Sequence, residues 1–290
     1  MQEKQKKQGK EAPLVLDWMD TWVENYVKPN LAYKTYRCYD SAVKILRRHN
    51  PELSKICLEE MDTFKTQCIL NSLADNFARS TINSTRVVFH ESFLAASEIP
   101  SLSVSPLGKL KIPLSAKTKK VRALTRAEQA TVEEAAQTVL HGEMAIFFFR
   151  TGLRAKEFCN LNWSDYNQTN QTIYVRKSKT DAGLRFVPLV SEAQQILLSQ
   201  PRETQDDAIF HSKTGNPVTE EVLEKLAWRL RRETGITFLT THVYRHTFAT
   251  RALEDGMNVK ALSRILGHKS VAFTMQRYCS PDLNFLREQM

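Results

Sequence analysis

Between residues 242 and 278 the chain gathers His242, Arg245, His246, His268 and Tyr278 in stretches that otherwise read as ordinary amphipathic helix. Cationic and imidazole donors around one phenol suit a reaction at a phosphodiester. The phenol would be the nucleophile, and the donors would meet the charge that develops on the phosphate oxygens. His242 and Arg245 are three residues apart, so they occupy neighbouring positions on one helix face, and His246 follows one turn after His242. His268 comes directly after Gly267, a residue that suits a left-handed helix cap, so its imidazole is expected to project from a turn. Tyr278 lies ten residues further on.

Two more side chains could complete such a site. Arg154 is expected in the first turn of a helix, where it opposes the helix dipole. A phosphate held at the same helix end would explain it, with the guanidinium adding a bidentate fork. A salt bridge to Glu157, three residues on, explains it equally well. Lys179 sits in the turn of an expected hairpin, among Arg176, Lys177 and Arg185. In a nucleic-acid groove its ammonium could protonate a departing oxygen, and Lys177 is the rival for that role. Each of these residues alone is more often a structural side chain. Together they supply what attack on phosphate needs.

The elements that must position them are mostly helical. The chain has 290 residues, 42% apolar and 25% charged, enough for two domains with proper cores. Nine glycines argue for helix over loop-rich or β-rich architecture. With 41 basic and 32 acidic residues the formal charge is +9, which favours a polyanionic partner such as nucleic acid. The cysteines at 38, 57, 68, 159 and 279 form no C-x-x-C pair, so neither a disulfide framework nor a zinc site is suggested, and a reducing cytoplasm fits. Residues 1–10 are polar and lysine-rich, unlike a signal peptide, and the longest apolar run, 144–149, cannot span a membrane. No P-loop, H-E-x-x-H or acidic cluster is found, so no cofactor and no metal is expected.

In order, residues 1–12 read as a flexible basic tail and residues 13–112 as a helical domain. Its helices are expected near 14–29, 33–48, 59–74 and 80–97, with Trp18, Trp22, Tyr26, Met61, Phe64, Ile82, Val87, Phe89 and Phe93 available for a core. Lys34, Arg37, Lys44, Arg47 and Arg48 put a basic face on the second helix. From Pro100 to Arg126 periodicity stops, and seven cations, Lys109, Lys111, Lys117, Lys119, Lys120, Arg122 and Arg126, appear without an acid. Residues 113–122 are assigned as a basic linker, suited to lie across phosphates. The second domain, 123–290, opens with a capping box at Thr125 and Glu128. Helices follow to about 140, at 143–150 and from 153. Strands are expected at 172–176 and 184–189, and helices at 191–199, 219–233, 241–255, 259–266 and 272–278, with a short one after Pro281.

Several of these stretches look like the catalytic boxes of the tyrosine recombinases, the phage-integrase family. They are Thr151-Gly152-Leu153-Arg154-Ala155-Lys156-Glu157, Lys179 followed by Arg185-Phe186-Val187-Pro188-Leu189, His242-x-x-Arg245-His246-Thr247-Phe248-Ala249-Thr250, Leu266-Gly267-His268, and Tyr278. Each is weak alone, but the ordered set is specific. The resemblance implies a mainly α fold: an N-terminal four-helix core-binding (SAM-like) domain, and a mostly helical catalytic domain with a small antiparallel sheet. It also implies a site-specific DNA recombinase in which Tyr278 forms a 3′-phosphotyrosyl link. Arg154 and Arg245 would then hold non-bridging oxygens, Lys179 would protonate the leaving 5′-oxygen, and His242 and His268 would orient the phosphate and help move the tyrosine proton. The implied partners are duplex DNA with an inverted-repeat core site, a homotetramer on two such sites, and an accessory excision factor. Lys34, Arg37, Lys44, Lys117, Lys119, Lys120, Arg122, Arg176 and Lys177 are the expected DNA contacts. Two intervals depart from the family pattern: His268 to Tyr278 and the Lys179–Gly183 turn are each about one residue longer. A type IB topoisomerase-like nicking-closing enzyme and a DNA-binding regulator without catalysis are the alternatives.

Overall fold

Apolar residues that recur every three or four positions form the helices of the first third of the chain, and their apolar sides meet in one core. The computed structural model describes residues 12–118, 121–176, 183–202 and 206–278, and the chain divides into two compact units, Met1–Lys120 and Val121–Met290. In the first unit α1 (Val15–Trp22) runs through a wider π-helical turn, Val23–Val27, into α2 (Lys28–Asn30). A π turn carries an extra residue, so the inward face moves on by one position. Val27 is buried, whereas Tyr26, expected inside, is 55% exposed. Helix α3 (Tyr33–His49) buries Ala42, Val43 and Leu46. Helix α4 (Thr63–Ser72) starts later than expected because the Asp62 carboxylate accepts the Lys65 N–H and caps it there. That register turns Phe64 outward, at 76% exposed, and buries Thr66 and Leu70. Helix α5 (Arg79–Ser97) buries Ile82, Val88, Phe89 and Phe93, with Val88 taking the place expected of Val87.

The stretch after Pro100 is not a free strap along its whole length. Val104, Leu107, Leu110 and Ala116 are buried in the first unit's core. The N–H groups of Ser103, Gly108 and Lys111 donate to Glu59, Thr63 and Gln67, each at 2.8 Å, and the Lys117 carbonyl accepts from Arg79 N–H. Apolar residues every third position along an extended chain provide this packing, a pattern that helix and strand periodicities do not reveal. The basic residues between them remain outside.

In the second unit α6 (Arg126–Ala136) begins at the expected capping box, with Thr125 and Glu128 exchanging hydrogen bonds. Helix α7 (Gly142–Thr151) is apolar nearly all round and forms the centre of the unit, with Met144, Ala145, Phe147, Phe148 and Phe149 buried. It leads to the short α8 (Ala155–Phe158), whose Phe158 stacks between Phe148 and Phe210. Strands β1 (Tyr166–Asn167), β2 (Thr172–Val175) and β3 (Arg185–Pro188) form an antiparallel sheet in that order, and β1, too short to carry an alternating pattern, was not expected. Helices α9 (Ser191–Leu198), α10 (Glu220–Thr234), α11 (Thr241–Glu254), α12 (Val259–Leu266) and α13 (Val271–Tyr278) complete the described unit. The helix expected after Pro281 lies outside the described residues. Among the described residues no helix is long and apolar enough to cross a membrane.

Two left-handed glycines end the helices that matter most. Gly152 closes α7 at φ +62°, and Gly267 closes α12 at φ +64°. A Cβ on Gly152 would lie 2.3 Å from a ring carbon of Phe248 on α11. Gly152→Ala therefore combines a left-handed backbone penalty with overpacking and is expected to destabilise the protein by about 2–4 kcal/mol. Urea denaturation checks this, and an unchanged midpoint would contradict the tight α7–α11 packing.

Candidate active site

The sharp turn at Gly152 delivers Arg154 as the residue that precedes α8. Its backbone is extended, at φ −78° and ψ 151°, so Arg154 does not sit in the first helical turn as expected. Glu157 explains its place. The Glu157 carboxylate accepts the Arg154 N–H at 3.0 Å and the Arg154 guanidinium at 2.6 Å. Of the two sequence explanations for Arg154, the salt bridge is the one formed here. The guanidinium also donates to the Gly267 carbonyl at 3.1 Å and remains partly exposed, so it keeps a face toward solvent.

Glu157 is only 4% exposed and serves more than Arg154. Arg185, from the buried face of β3, donates to both of its oxygens at 3.1 and 3.0 Å, and Arg245 lies 4.0 Å away. Burial alone would raise the Glu157 pKa. The Arg185 hydrogen bonds and charge, with those of Arg154, outweigh it and hold the carboxyl below its usual range. Three guanidiniums face one carboxylate, so the cluster keeps a net positive charge that suits an incoming anion.

Arg245, 5% exposed, extends from α11 to the C-terminal ends of two other helices. It donates to the Gly152 carbonyl beyond α7 at 2.7 Å and to the Leu266 carbonyl of α12 at 2.6 Å. Carbonyls at helix C-termini lack intrahelical donors and carry the negative end of the dipole, so a cation is stabilised there. Burial, then repulsion from Arg154, lowers its pKa to about 10, which still leaves it charged near neutrality. Its third contact is with Nε2 of His268, at 3.1 Å. His268 leaves the Gly267 cap as expected. Burial and then the charge of Arg245 bring its pKa down to about 4, so the ring is neutral.

Ser270 caps α13 by accepting the Phe273 N–H at 3.2 Å, and Tyr278 falls on the last described turn of that helix. Its ring lies parallel to His268, at 7° and 6.1 Å between centroids, and edge-on to His246 at 4.8 Å. The half-buried His246 ring has a lowered pKa, chiefly from burial. The added residue in the His268–Tyr278 interval therefore does not take the phenol ring away from His268. Tyr244, the other tyrosine nearby, is no rival. It is fully buried against Phe148 and Phe149, and burial pushes its pKa up.

Arg154, Arg245, His268 and Tyr278 are thus brought together. His242 is exposed in the first turn of α11, three residues before Arg245. Lys177, Lys179, Lys119 and Lys120 lie outside the described residues. Lys34, Arg37 and Lys44 are exposed on α3, where Lys44 pairs with Asp40 at 2.7 Å, and Lys117 is exposed too. Arg122 and Arg176 are more committed than expected. Arg122 forms a bidentate pair with Glu128 and lies over Phe238, while Arg176 pairs with Asp165 and donates to Ser164 at 2.6 Å. Glu157 was expected only as one of two partners for Arg154, Arg185 only as one of the hairpin cations, and Thr274 carried no expected role. Period-two alternation held a signal for Arg185, which shares the inward face of β3 with Val187.

A family model described as "Phage integrase family" matches residues 117–284. Tyrosine recombinase XerC of Chlamydia pneumoniae is 32% identical over 136 residues, 44% of this chain and 43% of that protein. Tyrosine recombinase XerA of Pyrococcus furiosus is 30% identical over 151 residues, 50% of this chain and 51% of that protein. The chain thus spans about half the length of these curated relatives. Among solved structures, the Tn1549 transposon integrase in complex with a circular intermediate DNA superposes with a TM-score of 0.77. It is 20% identical and covers 96% of this chain and 99% of that one, a likeness of fold.

The arginine cluster makes a stability prediction. Glu157→Gln leaves Arg185 and Arg245 buried beside a neutral amide and is expected to cost about 3–5 kcal/mol near neutral pH. The folded-state pKa of Glu157 is lowered, so its ionised form stabilises the fold above the unfolded value. That contribution is lost as pH falls through the folded pKa, and the gap between variant and wild type should narrow in acid. Urea denaturation at both pH values is the measurement. A difference below about 1 kcal/mol near neutrality would contradict the dependence on Glu157.

Proposed function

The chain belongs to the phage integrase family, the tyrosine recombinases, and on that premise we propose that it cleaves and rejoins duplex DNA at specific sites through a 3′-phosphotyrosyl intermediate. One observation carries the reading furthest. The Tyr278 ring lies parallel to His268, 6.1 Å away between centroids, and His268 is itself hydrogen-bonded to the buried Arg245. A phenol, an imidazole and a fixed guanidinium thus share one location, beside the partly exposed Arg154.

In this mechanism the Tyr278 oxygen attacks the scissile phosphorus, the phosphorus–tyrosine bond forms, and the bond to the 5′-oxygen breaks. Arg154 and Arg245 bind the non-bridging oxygens. Their carbonyl and carboxylate partners fix them before substrate arrives, so little reorganisation accompanies the reaction. Lys179 gives the departing 5′-oxygen its proton, with Lys177 as the alternative. His242 and His268 orient the phosphate and help carry the proton released by Tyr278. A 5′-hydroxyl from a second strand then reverses the step. One phosphoester replaces another throughout, so the exchange needs no nucleotide.

Residues 13–112 serve as the core-binding domain, residues 113–122 as the basic connection, and residues 123–290 as the catalytic domain. Lys34, Arg37, Lys44, Lys117, Lys119 and Lys120 contact the DNA backbone, which makes binding weaken with salt. Arg122 and Arg176, held by acidic partners, contribute less. Four protomers act on two inverted-repeat sites, and an accessory factor biases the direction.

Nicked duplexes tiling the DNA that flanks the gene test this reading. Wild type is expected to form a covalent protein–DNA adduct. Tyr278→Phe is expected to form none while binding the same duplex within about twofold, since only the attacking oxygen is lost. Adduct formation by Tyr278→Phe would move the nucleophile elsewhere. Arg154→Lys should cleave at least about a hundredfold more slowly, because a point ammonium cannot replace a planar fork. Near-normal cleavage would reduce Arg154 to its bond with Glu157. With two differently labelled duplexes, hybrid products support recombination, whereas relaxation of supercoils without hybrids supports the nicking-closing alternative.

A further inference from the structure

Thr274 is fully buried in α13, one helical turn before Tyr278. Its Oγ1 lies 2.8 Å from Nδ1 of His268, while Nε2 of the same ring lies 3.1 Å from an Arg245 guanidinium nitrogen. A guanidinium has donors only, so Nε2 must accept and carries no hydrogen. The neutral ring then holds its proton on Nδ1 and donates it to Thr274. The polarity of the chain is set from one end: Arg245 donates to His268, and His268 donates to Thr274.

We propose that Thr274 is a positioning residue, which holds His268 as the Nδ1–H tautomer and so keeps its Nε2 unprotonated, as an acceptor for Arg245. The contact also ties His268 to the helix of the nucleophile. Thr274 and Tyr278 are four residues apart on α13, so they lie on one face of it, and the Tyr278 ring lies parallel to His268. Imidazole and phenol are therefore set by the same helix. When a phosphate oxygen takes over the Arg245 N–H that Nε2 accepts, with the guanidinium still held by the Gly152 and Leu266 carbonyls, Nε2 is released as an acceptor. If it then takes a proton, the Nδ1–H bond to Thr274 persists, because both nitrogens donate in the charged ring. The part of the proposal that concerns cleavage rests on the recombinase reading. The part that concerns the tautomer does not.

The test uses Thr274→Val, which removes the hydroxyl at nearly constant shape, and Thr274→Ser, which restores it. Nitrogen and carbon NMR shifts of the His268 ring in the DNA-free protein report the tautomer directly. Wild type and Thr274→Ser are expected to show Nδ1–H alone; in Thr274→Val the Nδ1–H loses its acceptor, so the ring is expected to leave Arg245 and show a mixture with the Nε2–H form. On a nicked duplex that wild type cleaves, Thr274→Val should slow single-turnover cleavage by about tenfold or more, with DNA affinity within about twofold and Thr274→Ser close to wild type. A merely structural role would lower stability without changing the ring shifts. An Nδ1–H form that survives in Thr274→Val overturns the proposal, and so does full cleavage by that variant once the tautomer is lost. If wild type cleaves no duplex, the recombinase reading fails, and the ring shifts still decide the tautomer.

Discussion

The candidate site depends on one buried carboxylate. Glu157 accepts from Arg154 and Arg185 and lies 4.0 Å from Arg245, so guanidiniums from three separate elements converge on it. Each would be costly to hold near the others without a counter-charge, and removing one partner of a buried ion pair is far more damaging than replacing the whole pair. The short α8 exists to deliver this carboxylate. It is anchored by Phe158 in the aromatic core and preceded by the Gly152 turn that frees the carbonyl used by Arg245.

From that centre the arrangement extends by donors and acceptors with little choice of direction. Arg245 and Arg154 end on carbonyls at the C-terminal ends of α7 and α12, groups that need a donor and attract a cation. Arg185 reaches the Ile265 carbonyl and passes under Gly267, where a Cβ would lie 2.9 Å from its guanidinium. The glycine before His268 therefore has two roles, the left-handed cap and clearance for Arg185. His268 is held from both sides, and Tyr278 packs on its face. Each link fixes a group's position before any substrate is present, which is the condition for electrostatic stabilisation without reorganisation.

Much of this was legible in the sequence. The helix starts at Thr125 and Thr241, the left-handed cap at Gly267, and the choice of Arg154, Arg245, His268 and Tyr278 as candidates follow from residue type and short-range spacing, and the order of boxes from the family resemblance. What escaped was set by long-range packing or by irregular backbone. Arg185 joins Glu157 across 28 positions, and no local pattern pairs them. Tyr26 and Phe64 turned outward because a π turn and a side-chain cap shifted helix registers by a residue or more. The extended belt from Val104 to Ala116 hid its apolar contacts among prolines and lysines. Arg154 was expected to need a partner, phosphate or Glu157, and the carboxylate three residues on is the one it has here.

The central claim is that the Glu157-centred arginines form the phosphate site beside Tyr278. A structure of the protein trapped as its covalent adduct on a nicked duplex tests it most directly. The expected result is a phosphorus bonded to the Tyr278 oxygen, with its non-bridging oxygens hydrogen-bonded to Arg154 and Arg245 while Glu157 still holds Arg185. A phosphotyrosyl bond at another residue, or a phosphate bound away from both arginines, would contradict the account.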